Sequence, residues 1–127
     1  MAVKSSLKPL LRDIAGVIGD YVRHEGVSRD EVALLGSWNE RTDRIGLLLV
    51  TTRHAMVRDM SRWYAEILDK LRQALDSVGE VPATWNIGLV LRWTADIRRD
   101  IERYSAPDDE EDISEILNTE LTSHWPR

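Results

Sequence analysis

Cysteine is absent, and with it thiol nucleophiles, thiolate zinc sites and disulfide staples. At 127 residues the chain has the length of one domain and can bury a core without staples. Phenylalanine is also missing, so five tryptophans and three tyrosines carry the aromatic packing. No apolar run approaches the roughly 18 residues of a membrane span, and residues 1–8 lack the apolar centre of a signal peptide. The expectation is a cytoplasmic protein that engages no membrane. Neither a Walker A loop nor the dinucleotide glycine fingerprint occurs. His24, His54 and His124 stand too far apart in sequence for metal-ligand spacing, so no metal or cofactor is expected.

The net charge of -5 is unevenly placed. Seven acids and no base fall within residues 105–121, so the body is nearly neutral and the acidity belongs to the tail. A phosphate-binding surface needs a net basic stripe, which disfavours nucleic acid as a partner. Arg92, Arg98, Arg99 and Arg103 form a local basic group, but Asp96, Asp100 and Glu102 are interleaved to pair with them.

What is present begins with a strand, Arg44 to Thr52, apolar or glycine at positions 45–50 on both parities. Such a strand is covered on both faces and sits inside a sheet. From Ala55 to Val78 the period changes to helical. Met56, Met60, Trp63, Ile67, Leu71, Ala74 and Val78 form one stripe, which Val57, Tyr64, Leu68 and Leu75 widen. Glu66 precedes Lys70 at i,i+4 for a surface pair. Gly79 and Pro82 end the helix. Upstream, Leu7 to Glu25 carries another apolar stripe, with Ser5 or Ser6 to cap it and Gly26 to close it. Gly16 and Gly19 inside it either admit a close contact or cost stability without return.

Residues 27–38 admit two readings. Ser28 to Glu31 matches a capping box and hence a helix start, while Val32 to Trp38, followed by the polar connection 39–43, suits a hairpin with the strand at 44. The hairpin is favoured. A second apolar strand, Trp85 to Trp93, nearly repeats the first, Ile87-Gly-Leu-Val-Leu against Ile45-Gly-Leu-Leu-Leu, and the shared glycine allows close approach of a helix or a ligand. Thr94 can cap a short helix with Ile97, Ile101 and Tyr104 on its inner edge. The acidic run 108–112 reads as a linker to a last helical segment, Ile113, Ile116, Leu117 and Leu121, which either folds back or docks on another protein.

The expected fold is a small two-layer α+β domain in the order helix, β-hairpin, long amphipathic helix, strand, short helix, acidic tail with a terminal helical segment. Residues 1–106 make the domain and 107–127 the linker and C-terminal helix. The link from the first apolar strand through the long helix to the second suits a parallel crossover. Edges of so small a sheet need cover, which points to a homodimer.

Two functions compete. The first is a non-enzymatic protein-binding module, an adaptor, chaperone-like or regulatory protein. It would hold a partner through a tryptophan-bearing sheet rim, Trp38, Trp85 and Trp93, or through Ile113, Ile116, Leu117 and Leu121 of the acidic C-terminal helix. The second is a small-ligand-binding or enzymatic domain with a pocket at the strand ends, lined by Gly36, Ser37, Arg53 and His54. Gly36-Ser37 ahead of the apolar strand, with Arg41 between, resembles the opening of the minimal nucleotidyltransferase pattern, in which two alternate aspartates follow on the strand. Here Asp43 is followed by Gly46 where the resemblance implies a second metal-binding carboxylate, and Gly88 stands where it implies a third. Without those acids a pair of magnesium ions has no ligands, so the resemblance implies at most a catalytically dead relative.

Overall fold

The apolar stripe of the first segment does what its spacing predicts: α1 runs Leu7–His24 and buries Leu7, Leu11, Ile14, Ile18 and Val22. Gly26 closes it at φ 81°, and the Val27 N–H reaches back to the Val22 carbonyl at 3.1 Å. The structure, a computed structural model, describes residues 7–78 and 86–125, with the side chains of 75–78 left aside. Ser5, Ser6, Gly79, Pro82 and Trp85, with the side chains of Leu75 and Val78, therefore lie outside the described residues.

Both readings of residues 27–38 are realised, one after the other. The Ser28 N–H donates to Glu31 at 2.9 Å as in a capping box, but what starts there is a single 3-10 turn, Arg29–Glu31. The chain then extends into β1, Val32–Asn39, and forms a hairpin with β2, Arg44–Thr51. Asn39 Oδ1 accepts the Arg41 and Thr42 amides, and Asp43 takes φ 51°, a conformation that aspartate tolerates.

The long helix is two helices. α2 (His54–Arg58) stops at Asp59 and α3 (Met60–Val78) continues from there. Met56, Trp63, Ile67 and Leu71 reach the core, but Met60 is turned out of the stripe. Glu66 does not join Lys70 on the surface: it faces α1, accepts the Tyr21 hydroxyl and pairs with Arg62. The chain returns in β3 (Asn86–Trp93), parallel to β2 as the crossover requires. α4 (Ile97–Arg103) follows, with Asp96 rather than Thr94 as its cap, accepting the Arg99 amide at 3.1 Å.

Five α-helices and one mixed sheet of four strands, in the order β3-β2-β1-β4, make up the described α+β domain. Pairing registers put Val32, Leu34, Trp38, Ile45, Leu47, Leu49, Leu89 and Leu91 on one face, where α1, α3 and α5 (Ser114–Thr122) cover them. These are the two layers. α4 lies across part of the other face, so β2 buries Val50 as well as Leu49 and is covered on both sides there.

The acidic tail is not a free linker. β4 (Glu111–Asp112) pairs with Ser37 and Trp38, and Glu110 accepts the Ser37 hydroxyl at 2.7 Å. Ile113, Leu117 and Leu121 are fully buried and Ile116 packs beside them. α5 then closes the rest of the β1 edge with side chains in place of a strand. Asn118 accepts the Leu34 N–H at 2.9 Å and donates to the Leu34 carbonyl at 2.6 Å. Ser114 Oγ accepts the Gly36 N–H, the Ile113 amide takes the Gly36 carbonyl, and Arg29 takes the Val32 carbonyl. Gly16 and Gly19 of α1 are where the segment after α5 comes closest: a Cβ on either meets the His124 side chain at 3.2 Å. They serve close contact.

Gly46 and Gly88 do not. They sit side by side on β2 and β3; among the described residues a Cβ on Gly46 meets only Ser37 Oγ at 3.8 Å, and one on Gly88 meets nothing within 4 Å. The glycine that admits a neighbour is Gly36, where a Cβ falls 2.9 Å from the Gly46 carbonyl and 3.0 Å from Leu117. Gly36→Ala should therefore cost about 1–3 kcal/mol in urea unfolding, while Gly88→Ala stays within about 0.5 kcal/mol of the parent or above it. Asn118→Leu keeps the volume but leaves the Leu34 amide and carbonyl unpaired. A loss of about 2–4 kcal/mol is expected; a change below about 0.5 kcal/mol would show that water replaces the side chain.

Candidate interaction interface

Sealing one edge makes the other conspicuous. β3 is the opposite edge strand, and among the described residues no strand pairs with its outer side. The Asn86 and Thr94 amides bond to the Asp43 and Thr51 carbonyls, which turns the even-numbered residues of this stretch toward β2. N–H and C=O of Ile87, Leu89, Leu91 and Trp93 consequently point out of the sheet edge. Edge strands are usually short, bulged or charged. This one is eight residues long, and Arg92 is its one charged side chain.

Apolar surface gathers around that edge. Val90, on the face away from α3, is 59 % exposed, and Trp93 at the end of the strand is 40 % exposed. α3 packs over β3. Its flank toward α1 is polar: Glu66 takes the Tyr21 hydroxyl, Arg62 pairs with Glu25 at 3.3 Å, and Lys70 sits over the Tyr21 ring. Tyr64 and Leu68 stand two residues either side of Glu66, hence on the opposite side of the helix, and Met60 extends the row by another step of four. Tyr64 is 39 % and Met60 37 % exposed. The outer face of α3 is polar, with Asp69, Arg72 and Gln73, as is usual; the flank on the side of the open edge is apolar.

The residues singled out in the sequence are scattered. Trp38 is buried at the end of the sheet where it pairs with Ile45, and Trp93 lies at the other end opposite Thr51, so the two share no rim. Trp93 instead stacks on His54 at 5.1 Å and donates to the Thr52 carbonyl. Ile113, Leu117 and Leu121 are core residues and offer a partner nothing. The proposed ligand pocket does not converge either. Ser37 lies opposite Gly46, whereas Arg53 and His54 follow Thr51, roughly 20 Å along the strand. Arg53 is engaged with Glu31 at 3.0 Å and with the Gly26 carbonyl. Gly36 and Ser37 lie within β1 and so precede the apolar strand β2, but among the described residues no three acids or histidines are placed to share a metal ion.

A groove of about 740 Å³ lies between α1 and α3, lined by Tyr21, His24, Glu25, Glu66 and Lys70 among others. Its tyrosine is not poised for chemistry. Burial, the hydrogen bond to Glu66 and the negative charge of Glu66 and Glu25 all push the Tyr21 phenol far above its ordinary value. A phenol so held keeps its proton and cannot serve as a base at neutral pH.

Compared with models of known families, with curated proteins and with solved structures, the chain has no match. Among the described residues no helix is long and apolar enough to cross a membrane.

Met60, Tyr64 and Val90 escape a reading of the sequence because each belongs to an apolar pattern that looks like core. Only the position of β3 at an edge exposes them. The Tyr21 network makes its own prediction. Because the folded phenol titrates above the unfolded one, its contribution is complete below pH 10 and is lost as the pH rises further. Melting temperatures followed from pH 8 to 11 should fall more steeply for the parent than for Tyr21→Phe; parallel curves would remove Glu66 as its partner.

Proposed function

We propose that this chain is a non-enzymatic protein-interaction module, with an adaptor, chaperone-like or regulatory role, and that its partner face is the open edge of β3 with the apolar flank of α3 beside it. One observation carries the reading: the sheet closes its β1 edge with a strand, a helix and three side chains, yet among the described residues nothing pairs with the eight-residue apolar edge at β3. Recognition on such a face works by strand addition. The outward amides and carbonyls of β3 supply backbone hydrogen bonds, and Val90, Met60 and Tyr64 supply apolar contacts above and below them. A fitting partner presents an extended apolar segment and no cluster of charge.

Val90→Lys and Tyr64→Glu test this, since both side chains are exposed and their replacement should leave stability within about 0.5 kcal/mol. Complexes recovered with the tagged full chain from its own cells should disappear with either substitution. They should persist with Thr119→Lys, on the surface of α5 away from that edge. Complexes that survive both substitutions at the β3 face overturn the assignment.

A further inference from the structure

We propose that the occupant of this face is a second copy of the chain, with β3 pairing antiparallel to its mate about a two-fold axis that passes through Val90. This rests on the interaction reading above and narrows it to one partner and one register.

The backbone sets the register. The four outward-facing residues, Ile87, Leu89, Leu91 and Trp93, are spaced symmetrically about Val90. With Val90 opposite itself, Leu89 meets Leu91 and Ile87 meets Trp93, so every outward amide and carbonyl gains a partner. A shift of the axis by one residue either way strands one end of the four. A shift that sets odd against even would put opposite faces together.

Side chains agree with that register. Arg92, the one charge on β3, falls opposite Gly88 of the mate and not opposite another arginine, and the space above Gly88 is open. A two-fold axis perpendicular to the sheet keeps each face on its own side. Val90 therefore meets its mate on one face, and the Met60, Tyr64 and Leu68 flank of α3 approaches its mate on the other, with no charge among the three. The result is a continuous eight-stranded sheet, β4-β1-β2-β3 joined to its mirror order, whose two outer edges are each a two-residue β4 with α5 covering the rest of β1.

Symmetry argues for two copies and no more. Since the other edge among the described strands is β4, two residues long and too short to seat a mate, self-association by strand pairing falls to β3 with β3. Such an isologous contact consumes itself and cannot propagate into a fibre.

The absence of cysteine makes the test clean. In the proposed register residue 90 faces itself in a non-hydrogen-bonded pair, with Cα atoms about 4.5 Å apart, inside the range that a disulfide spans. Mild oxidation of full-length Val90→Cys should give nearly complete cross-linking to twice the chain mass. Leu48→Cys, on the same face but one strand further in, would sit about 14 Å from its mate and should stay uncross-linked. Sedimentation of the parent should show a dimer. The Leu89 and Leu91 amides should exchange with deuterium at least ten-fold more slowly in the dimer than on dilution to monomer.

A dimer that cross-links through Gly88→Cys in place of Val90→Cys overturns the register. A parent that is monomeric at every concentration, with fast exchange at Leu89 and Leu91, overturns the self-pairing. If Val90→Lys and Tyr64→Glu still abolish complexes from cells in that case, the interaction reading stands with a different occupant; if they do not, both readings fall.

Discussion

The bonds between Asn118 and Leu34 are the constraint on which the rest of the architecture depends. A strand with two free sides must satisfy both rows of its backbone groups, and β1 has a full-length partner on one side only. β4 is two residues long and reaches Ser37 and Trp38. Everything between Val32 and Gly36 is satisfied by Asn118, Ser114, Ile113 and Arg29. A buried unpaired amide or carbonyl costs about 1–3 kcal/mol, so α5 must lie where it does for β1 to be stable as an inner strand. The placement of α5 then fixes that of α1, whose two glycines accept His124, and α1 in turn positions α3.

From that chain of contacts comes the unequal treatment of the two flanks of α3. The side toward α1 is polar because it is shared with another helix and its charges are paired: Arg62 with Glu25 and Glu66, Glu66 with Tyr21. These contacts are mostly surface ones and contribute little stability individually. They do fix the rotation of α3 about its axis. With Glu66 held against α1, Tyr64 is turned toward the edge of the sheet, with Leu68 part-buried against the core beside it. The apolar surface at β3 is thus a consequence of how α3 is held, not a set of isolated exposed residues.

The sequence made the elements legible and left their neighbours obscure. The helical stripe of 7–24, the hairpin of 32–51 and the strand at 86–93 follow from periodicity and turn chemistry, which are local. The order β3-β2-β1-β4 does not, because periodicity reports which residues are apolar and not what covers them. Ile45-Gly-Leu-Leu-Leu and Ile87-Gly-Leu-Val-Leu are nearly the same words, yet one lies inside the sheet and the other at its edge. Leu48 is half-buried and its neighbour Val90 is exposed. The acidic run misled for a related reason. Asp108 to Asp112 has the composition of a solvated linker, but Glu110 and Asp112 are used singly, to accept a hydroxyl and an amide at the close of the β1 edge. Strand-end positions suggest Trp38 beside Trp93, but antiparallel pairing puts the end of β1 at the start of β2 and β3.

An open apolar edge carries a hazard, and the placement of charge on this one bears on how the hazard is contained. Flat edges of this kind template aggregation when any strand can join in any register. On β3 the alternatives to one register are penalised unequally. Moving the axis from Val90 to Leu91 brings Arg92 opposite Val90 of the mate and leaves Ile87 unpaired; moving it to Leu89 sets Arg92 against Asn86 and leaves Trp93 unpaired. Centring on Val90 gives Arg92 the open space over Gly88. A lysine or glutamate at position 90 would protect the monomer more simply, and the chain has valine there. The same glycine that looks like a missing metal ligand in the sequence would, in the proposed dimer, be the position that makes one pairing fit better than its neighbours.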